Sequence, residues 1–229
     1  WTRYEARLRE RLRDGGGLKF DDASARAALE ATNAHRRAAG AAPLDWHDEL
    51  AAAARAHAAD QAARDYVEHL SPEGFDPSHR FWLLGRTTIG SPSENIAYHR
   101  AEGPPASAAE LVGRWRRSPG HWRNLLRASH THAAYGAVRG RDRIWLVGLY
   151  TRPVATLAEP LPFRPRGPDV ARALRSLPGE HRARVAAPQG SRRGRADGGS
   201  GVLQITAIRR VDATAFDVVG GPIFLTAEG

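Results

Sequence analysis

Apolar residues recur at helical spacing through the first half of the chain, and strand-like alternation comes late. In "WTRYEARLRERLRD", Tyr4, Leu8 and Leu12 form a stripe at spacing four. This predicts a short basic helix ended by Gly15, Gly16 and Gly17. A second helix is expected from Ser24, as its N-cap, to Ala39, with Gly40 as the stop. A third is expected from Asp48 to Val67, with Leu50, Ala54, His57 and Ala58 on a face small enough for close packing. His57 reads there as a packed or half-exposed helix residue.

"EHLSPEGFDPSHR" (68–80) is a loop by its Pro, Gly and Ser content, followed by a short helix at "HRFWLLG". "SENIAYHR" predicts a short strand over Asn95–His99. "PASAAELVGRWRRS" (105–118) predicts a helix opened by Pro104 or Pro105 and ended by Pro119, with "HWRNLLR" as a further short helix. "AYGAVRG" and "RIWLVGLYT" then flank a turn as a hairpin. Helices first and a few antiparallel strands late predict an α+β fold. His130 and His132, in "SHTH", precede the first hairpin strand and read as exposed loop residues.

After Pro153 the composition changes. "EPLPFRPRGP" reads as a proline-rich linker and "APQGSRRGRADGGSG" as a flexible basic loop. A short helix near Val170–Leu177, a strand at "VLQITAIRRV" and a hairpin at "FDVVGGPIFLTA" predict a small β-rich C-terminal appendage. The expected organisation is a basic helix and glycine linker over 1–22, a main domain over 23–153, the linker over 154–168 and the appendage over 169–229.

Composition narrows the chemistry. The 229 residues contain no cysteine, which removes disulfides, thiolate metal sites and a cysteine nucleophile. They also contain no methionine, so the start reads as that of a processed product. The net charge is +9, but Lys19 is the only lysine in an alanine-rich chain, a pattern of GC-rich coding. Nucleic acid is therefore not the expected partner, and an anionic cell wall or lipid surface fits the charge at least as well.

Polar residues that sit on turns beside apolar elements are candidates for a site. They are His69 with Glu73, then Glu94, then Ser118 with His121 and Asn124, on three separate loop–element junctions. Two imidazoles with one or two carboxylates suit zinc or another divalent cation, and equally suit acid–base work with a glutamate orienting an imidazole. There is no H-E-x-x-H or other local metal signature.

The order of motifs resembles the CAP superfamily, named for cysteine-rich secretory proteins, antigen 5 and pathogenesis-related proteins, and most of all its bacterial SCP-like extracellular domains. "LEATNAHRRAAGAAPLDWHDELAAAARAHAAD" resembles the opening helix pair, "HLSPEG" the bacterial His-x-Ser-Pro-Asp-Gly loop, and "SENIA" the Gly-Glu-Asn-Ile-Ala motif. "WRRSPGHWRNLL" resembles the Ser-Pro-Gly-His segment, and "YGAVRGRDRIWLVGLY" the closing hairpin. The resemblance implies an α-β-α sandwich with a three-stranded antiparallel sheet between helical layers. It implies a cleft in which His69, Glu94 and His121 match the family's two histidines and glutamate, with zinc or a similar cation held by the histidines in some members. It implies an extracellular or envelope location.

Two departures stand out. Ser93 replaces the usual glycine before Glu94, and Ser118 stands where the eukaryotic branch has a second glutamate. Three functions remain open at this level. One is a binding cleft for a small molecule, a lipid or a divalent cation. Another is a metal-assisted or histidine-based hydrolase with His69, Glu94 and His121 as candidate catalytic residues. The last is an interaction protein contacting an anionic envelope polymer through its basic tail.

Overall fold

The late hairpin forms the centre of the sheet. In the computed structural model, which describes residues 1–177, 182–186, 201–210 and 216–225, it consists of β5 (His132–Arg139) and β6 (Arg143–Thr151). β4 (Ser93–Arg100) pairs antiparallel with β6, starting at Ser93 opposite Tyr150. The three long strands therefore run in the order β4, β6, β5. Two two-residue bridges widen this sheet on β5: β1 (Lys19–Phe20), antiparallel, and β2 (Asp45–Trp46), parallel. β4 is longer at both ends than the Asn95–His99 strand expected from the sequence.

Alternation along the strands sends side chains into two separate cores. Ala134, Val138, Trp145, Val147 and Leu149 pack on one face, with α3 (Asp48–Arg64), α4 (Pro77–Leu84) and α1 (Thr2–Asp14). Ala133, Tyr135, Ala137, Ile144, Leu146 and Tyr150 pack on the other, with α2 (Asp22–Ala38), α5 (Ala108–Arg114) and the helix α6 (Pro119–Leu126). This is the three-layer sandwich. The alanine face of α3 lets β5 approach so closely that any Cβ on Gly136 would overlap the Ala54–Arg55 peptide.

Several boundaries differ from the sequence reading for local reasons. Asp21, not Ser24, caps α2, accepting from the Ser24 amide at 2.9 Å. Ser107 and Glu110 form a capping box that starts α5 after the prolines. α3 ends at Arg64 because Asp65 takes a left-handed backbone conformation. Gly15–Gly17 form a tight turn against α3, not an open link; a Cβ on Gly16 would strike the Ala59 carbonyl.

The C-terminal elements are β7 (Ala155–Thr156), α7 (Gly167–Arg175), and an antiparallel sheet of β8 (Arg182–Ala186), β9 (Val202–Arg210) and β10 (Phe216–Leu225). They pack on the sandwich. β7 pairs with β3 (Thr88–Ile89), and Leu157 and Leu161 of the proline-rich stretch are buried with Ile205 and Phe224. Arg86 joins the parts, donating to the carbonyls of Leu161, Pro162 and Ile223 at 2.6, 3.1 and 2.9 Å. The flexible basic loop expected at 187–201 lies outside the described residues apart from Gly201.

Candidate functional site

The start of β4 presents successive residues to opposite layers. Glu94 faces α3 and α4, on the side of Ile96. Asn95 faces α6, on the side of Ala97. A site at this end of the sheet can thus draw one histidine from each layer.

On the first side, Glu94 is buried and accepts from His69 Nδ1 at 2.8 Å and from Arg80 Nη2 at 2.9 Å, one on each carboxylate oxygen. His57 Nε2 lies 3.9 Å away, fully buried on α3. Arg80, also fully buried, donates to the carbonyls of His69 and Phe75 as well, at 2.9 and 3.0 Å. One guanidinium therefore fixes the carboxylate and both ends of the His69 loop. Burial alone would push the Glu94 carboxyl up; the Arg80 cation and the His69 hydrogen bond outweigh it and hold the group below its ordinary value. His69 is raised by its hydrogen bond to Glu94, against partial burial. His57 is driven down to about 3 by burial and the Arg80 charge, so it is neutral.

On the second side, Pro119 opens α6 and brings His121 into its first turn. His121 stacks on Trp115 with centroids 5.8 Å apart, and its Nδ1 lies 2.8 Å from Ser118 Oγ. Burial lowers its pKa, and the nearby His69 charge lowers it further. The two imidazoles are thus close enough to interact, and their pKa values are pushed in opposite directions. Each has Nδ1 engaged; among the described residues, neither Nε2 has a hydrogen-bond partner.

The turn carrying His121 is held by a buried polar chain. Thr32, Tyr135 and Tyr150 join hydroxyl to hydroxyl at 2.5 and 2.6 Å. Asn95 Nδ2 lies 3.4 Å from the Tyr150 hydroxyl and donates to the His121 carbonyl at 3.0 Å. Asn124 donates to Asn95 Oδ1 at 3.0 Å, and Ser93 Oγ donates to Asn124 Oδ1 at 2.7 Å. Ser93 is therefore more than a tolerated replacement for glycine: its hydroxyl also lies 3.2 Å from His130 Nε2 and extends the chain to that ring. His130 itself is buried, not an exposed loop residue, and burial with Arg127 and Arg36 lowers it to about 4.

The structure brings together His69, Glu94 and His121, with Ser118 against His121 and Asn124 beneath the turn. Glu73 is not joined to them. It is ion-paired with Arg7 and with Arg64, the latter at 2.7 Å. Burial would raise its carboxyl, but the Arg64 hydrogen bond and charge outweigh that and bring it to about 2. Its role is to tie α1 and α3 to the loop. Sequence reasoning missed Arg80, although a lone arginine beside the apolar run "FWLLG" is a signal, since a buried charge requires a partner.

The residues do not fit a three-ligand zinc site. Both Glu94 oxygens are committed to His69 and Arg80, and Ser118 has replaced the second carboxylate. Among the described residues, no group of three or more His, Asp or Glu stands where it could hold a metal ion.

The family model of the cysteine-rich secretory protein family, CAP, matches residues 29–150, which include every residue of this candidate site. The chain belongs to this family. It is 33% identical over 120 residues to the uncharacterised protein YkwD of Bacillus subtilis, covering 51% of this chain and 43% of that protein. The chain thus spans less than half the length of this curated relative. An outer surface protein of Borrelia burgdorferi is similar in fold, with a TM-score of 0.51 at 15% identity over 59% of this chain and 98% of that one. An extracellular SCP-domain protein of Bacillus anthracis gives a TM-score of 0.47 at 25% identity over 58% of this chain and 41% of that one. The CAP match leaves out α1, β1, the start of α2 and everything after Tyr150; α1 and the C-terminal elements pack around the matched unit.

Proposed function

We propose that this is an extracellular or envelope-associated binding protein whose cleft holds a small ligand between His69 and His121. The observation that carries this reading is the pair of imidazoles, each anchored through Nδ1 and each with Nε2 unpartnered among the described residues, whose pKa values are shifted in opposite directions. Such a pair presents one imidazole favoured as the cation beside one favoured as the neutral ring, a set of groups suited to a small acidic or polar molecule, including the headgroup of a lipid. The location outside the cytoplasm rests on the secretory character of the CAP family. No helix among the described residues is long and apolar enough to cross a membrane.

Opposed imidazole pKa values also suit an acid and a base, which favours hydrolysis as the second reading. The arrangement is incomplete for that purpose. The orienting carboxylate serves His69, whereas the hydroxyl sits on His121, so no continuous nucleophile–base–orienter chain forms. A divalent cation held by the two imidazoles alone would bind weakly.

The test is NMR of the histidine Cε1 resonances in the presence of acetate, inorganic phosphate, N-acetylglucosamine or palmitate. A saturable shift of His69 and His121 together, lost in His121→Ala, with the probe recovered intact, is the expected result. Steady release of p-nitrophenol from its acetate ester, abolished in folded His121→Ala, would replace binding with hydrolysis. Tight one-to-one zinc binding that depends on both histidines would overturn the assessment of the donor set.

A further inference from the structure

The surface beside His121, a lip of the proposed cleft, carries an unusual concentration of charge. Residues 111–141 contain seven arginines and no aspartate or glutamate. Arg139 is neutralised by Asp21 at 2.7 Å. Arg114 faces Glu110, whose carboxyl is lowered by its Ser107 hydrogen bonds and then by the Arg114 charge. Arg116, Arg117, Arg123 and Arg127 are exposed, and none has a carboxylate partner among the described residues. They occupy the turn before α6, α6 itself and its C-cap, so they border His121. The half-buried Trp122 lies among them, with the Arg116 guanidinium 5.7 Å from its ring.

This surface differs from a membrane-seeking one. The exposed large apolar side chains among the described residues are Val67, Leu70, Tyr98 and Val218, and none lies on this stretch. An interfacial surface needs apolar anchors beside its cations. Guanidinium forks spaced along a turn and helix, with a half-buried indole among them, match sugar rings carrying carboxylates: the forks take the oxyanions and the indole takes the ring's apolar face.

We propose that the lip bearing Arg116, Arg117, Arg123 and Arg127 binds a linear acidic glycan. The sequence alone directed attention to the basic C-terminal tail as the contact for an anionic polymer; its basic loop lies outside the described residues apart from Gly201, and among the described residues these four exposed arginines beside His121 have no carboxylate partner. The proposal is independent of what the two histidines hold.

The experiment is titration of the full chain with polygalacturonate at low ionic strength, with neutral dextran as the blank. Binding that weakens with added salt is expected, as for any contact built on exposed charge. R116Q/R117Q/R123Q/R127Q should weaken it about tenfold or more, the loss of several charge-assisted contacts. R13Q/R152Q/R164Q/R175Q removes equal charge elsewhere and should change it less than about twofold. Should the first variant melt early, its two halves, R116Q/R117Q and R123Q/R127Q, each carry the test. His69→Gln with His121→Gln should leave glycan binding intact; loss there would overturn a surface separate from the imidazole pair. Equal weakening by both arginine sets would reduce the effect to net charge and overturn the proposal. So would absence of binding by the wild type, or tighter binding to single-stranded DNA or to anionic phospholipid vesicles than to the glycan.

Discussion

Glu94 is the residue on which the site's electrostatics turn. Glu94→Gln replaces the charged acceptor that raises His69 with a neutral amide, so the His69 pKa, read by NMR titration, should fall toward its ordinary 6.5. The same change leaves the buried Arg80 charge uncompensated, which should cost about 3–5 kcal/mol in chemical denaturation. The signs of the pH dependence follow from the two shifts. Glu94 is depressed, so its contribution is present above the ordinary carboxylate value and is lost as pH falls through its lower folded value. His69 is raised, so its contribution is present below 6.5 and is lost as pH rises through its higher folded value. The ion pair therefore stabilises most between the ordinary values of 4.5 and 6.5. His69→Asn should lower the melting temperature most inside that window and least above it; a uniform loss across pH would mean that His69 acts through packing alone.

At the scale of elements, α1 acts as a clamp on the His69 loop. Tyr4 stacks on Phe75 with centroids 4.1 Å apart, Leu8 is fully buried, and Arg7 pairs with Glu73. Leu8→Ala should cost about 2–5 kcal/mol, as for other core truncations. Deleting residues 1–14 should also speed amide exchange in residues 69–76 while leaving β5 and β6 protected. Unchanged exchange in that loop would restrict α1 to a general stabilising role. The stripe that makes α1 a helix was legible in sequence, because local periodicity records which face is covered. What covers it was not legible: the partners of Tyr4 and Arg7, Phe75 and Glu73, lie far along the chain. Element ends were less legible still, since caps at Asp21 and Ser107 depend on side-chain hydrogen bonds that several neighbouring residues could equally have made.

At the scale of the whole molecule, Arg86 docks the C-terminal elements on the CAP unit. It is half-buried, and that burial brings it down to about 10. Arg86→Ala leaves the carbonyls of Leu161, Pro162 and Ile223 without their shared donor, a loss of about 3 kcal/mol or more. Limited proteolysis should then cut within residues 158–166 faster than in wild type, with the sandwich surviving; no change in cutting would show that the apolar contacts of Leu157 and Leu161 suffice. The sequence by itself determined the helices, the late hairpin and the family, and it singled out His69, Glu94 and His121 as candidates, because these are written in local periodicity and in short ordered motifs. Tertiary structure alone decided that Glu73 belongs to a different ion cluster, that Arg80 is the buried partner of Glu94, and that a hydroxyl–amide chain through Tyr135, Tyr150, Asn95 and Ser93 supports His121. Those are relations between side chains from different layers. Strand alternation and burial create them by forcing each desolvated polar group to find a partner, and neither the distance nor the choice of partner is encoded at any one place in the chain.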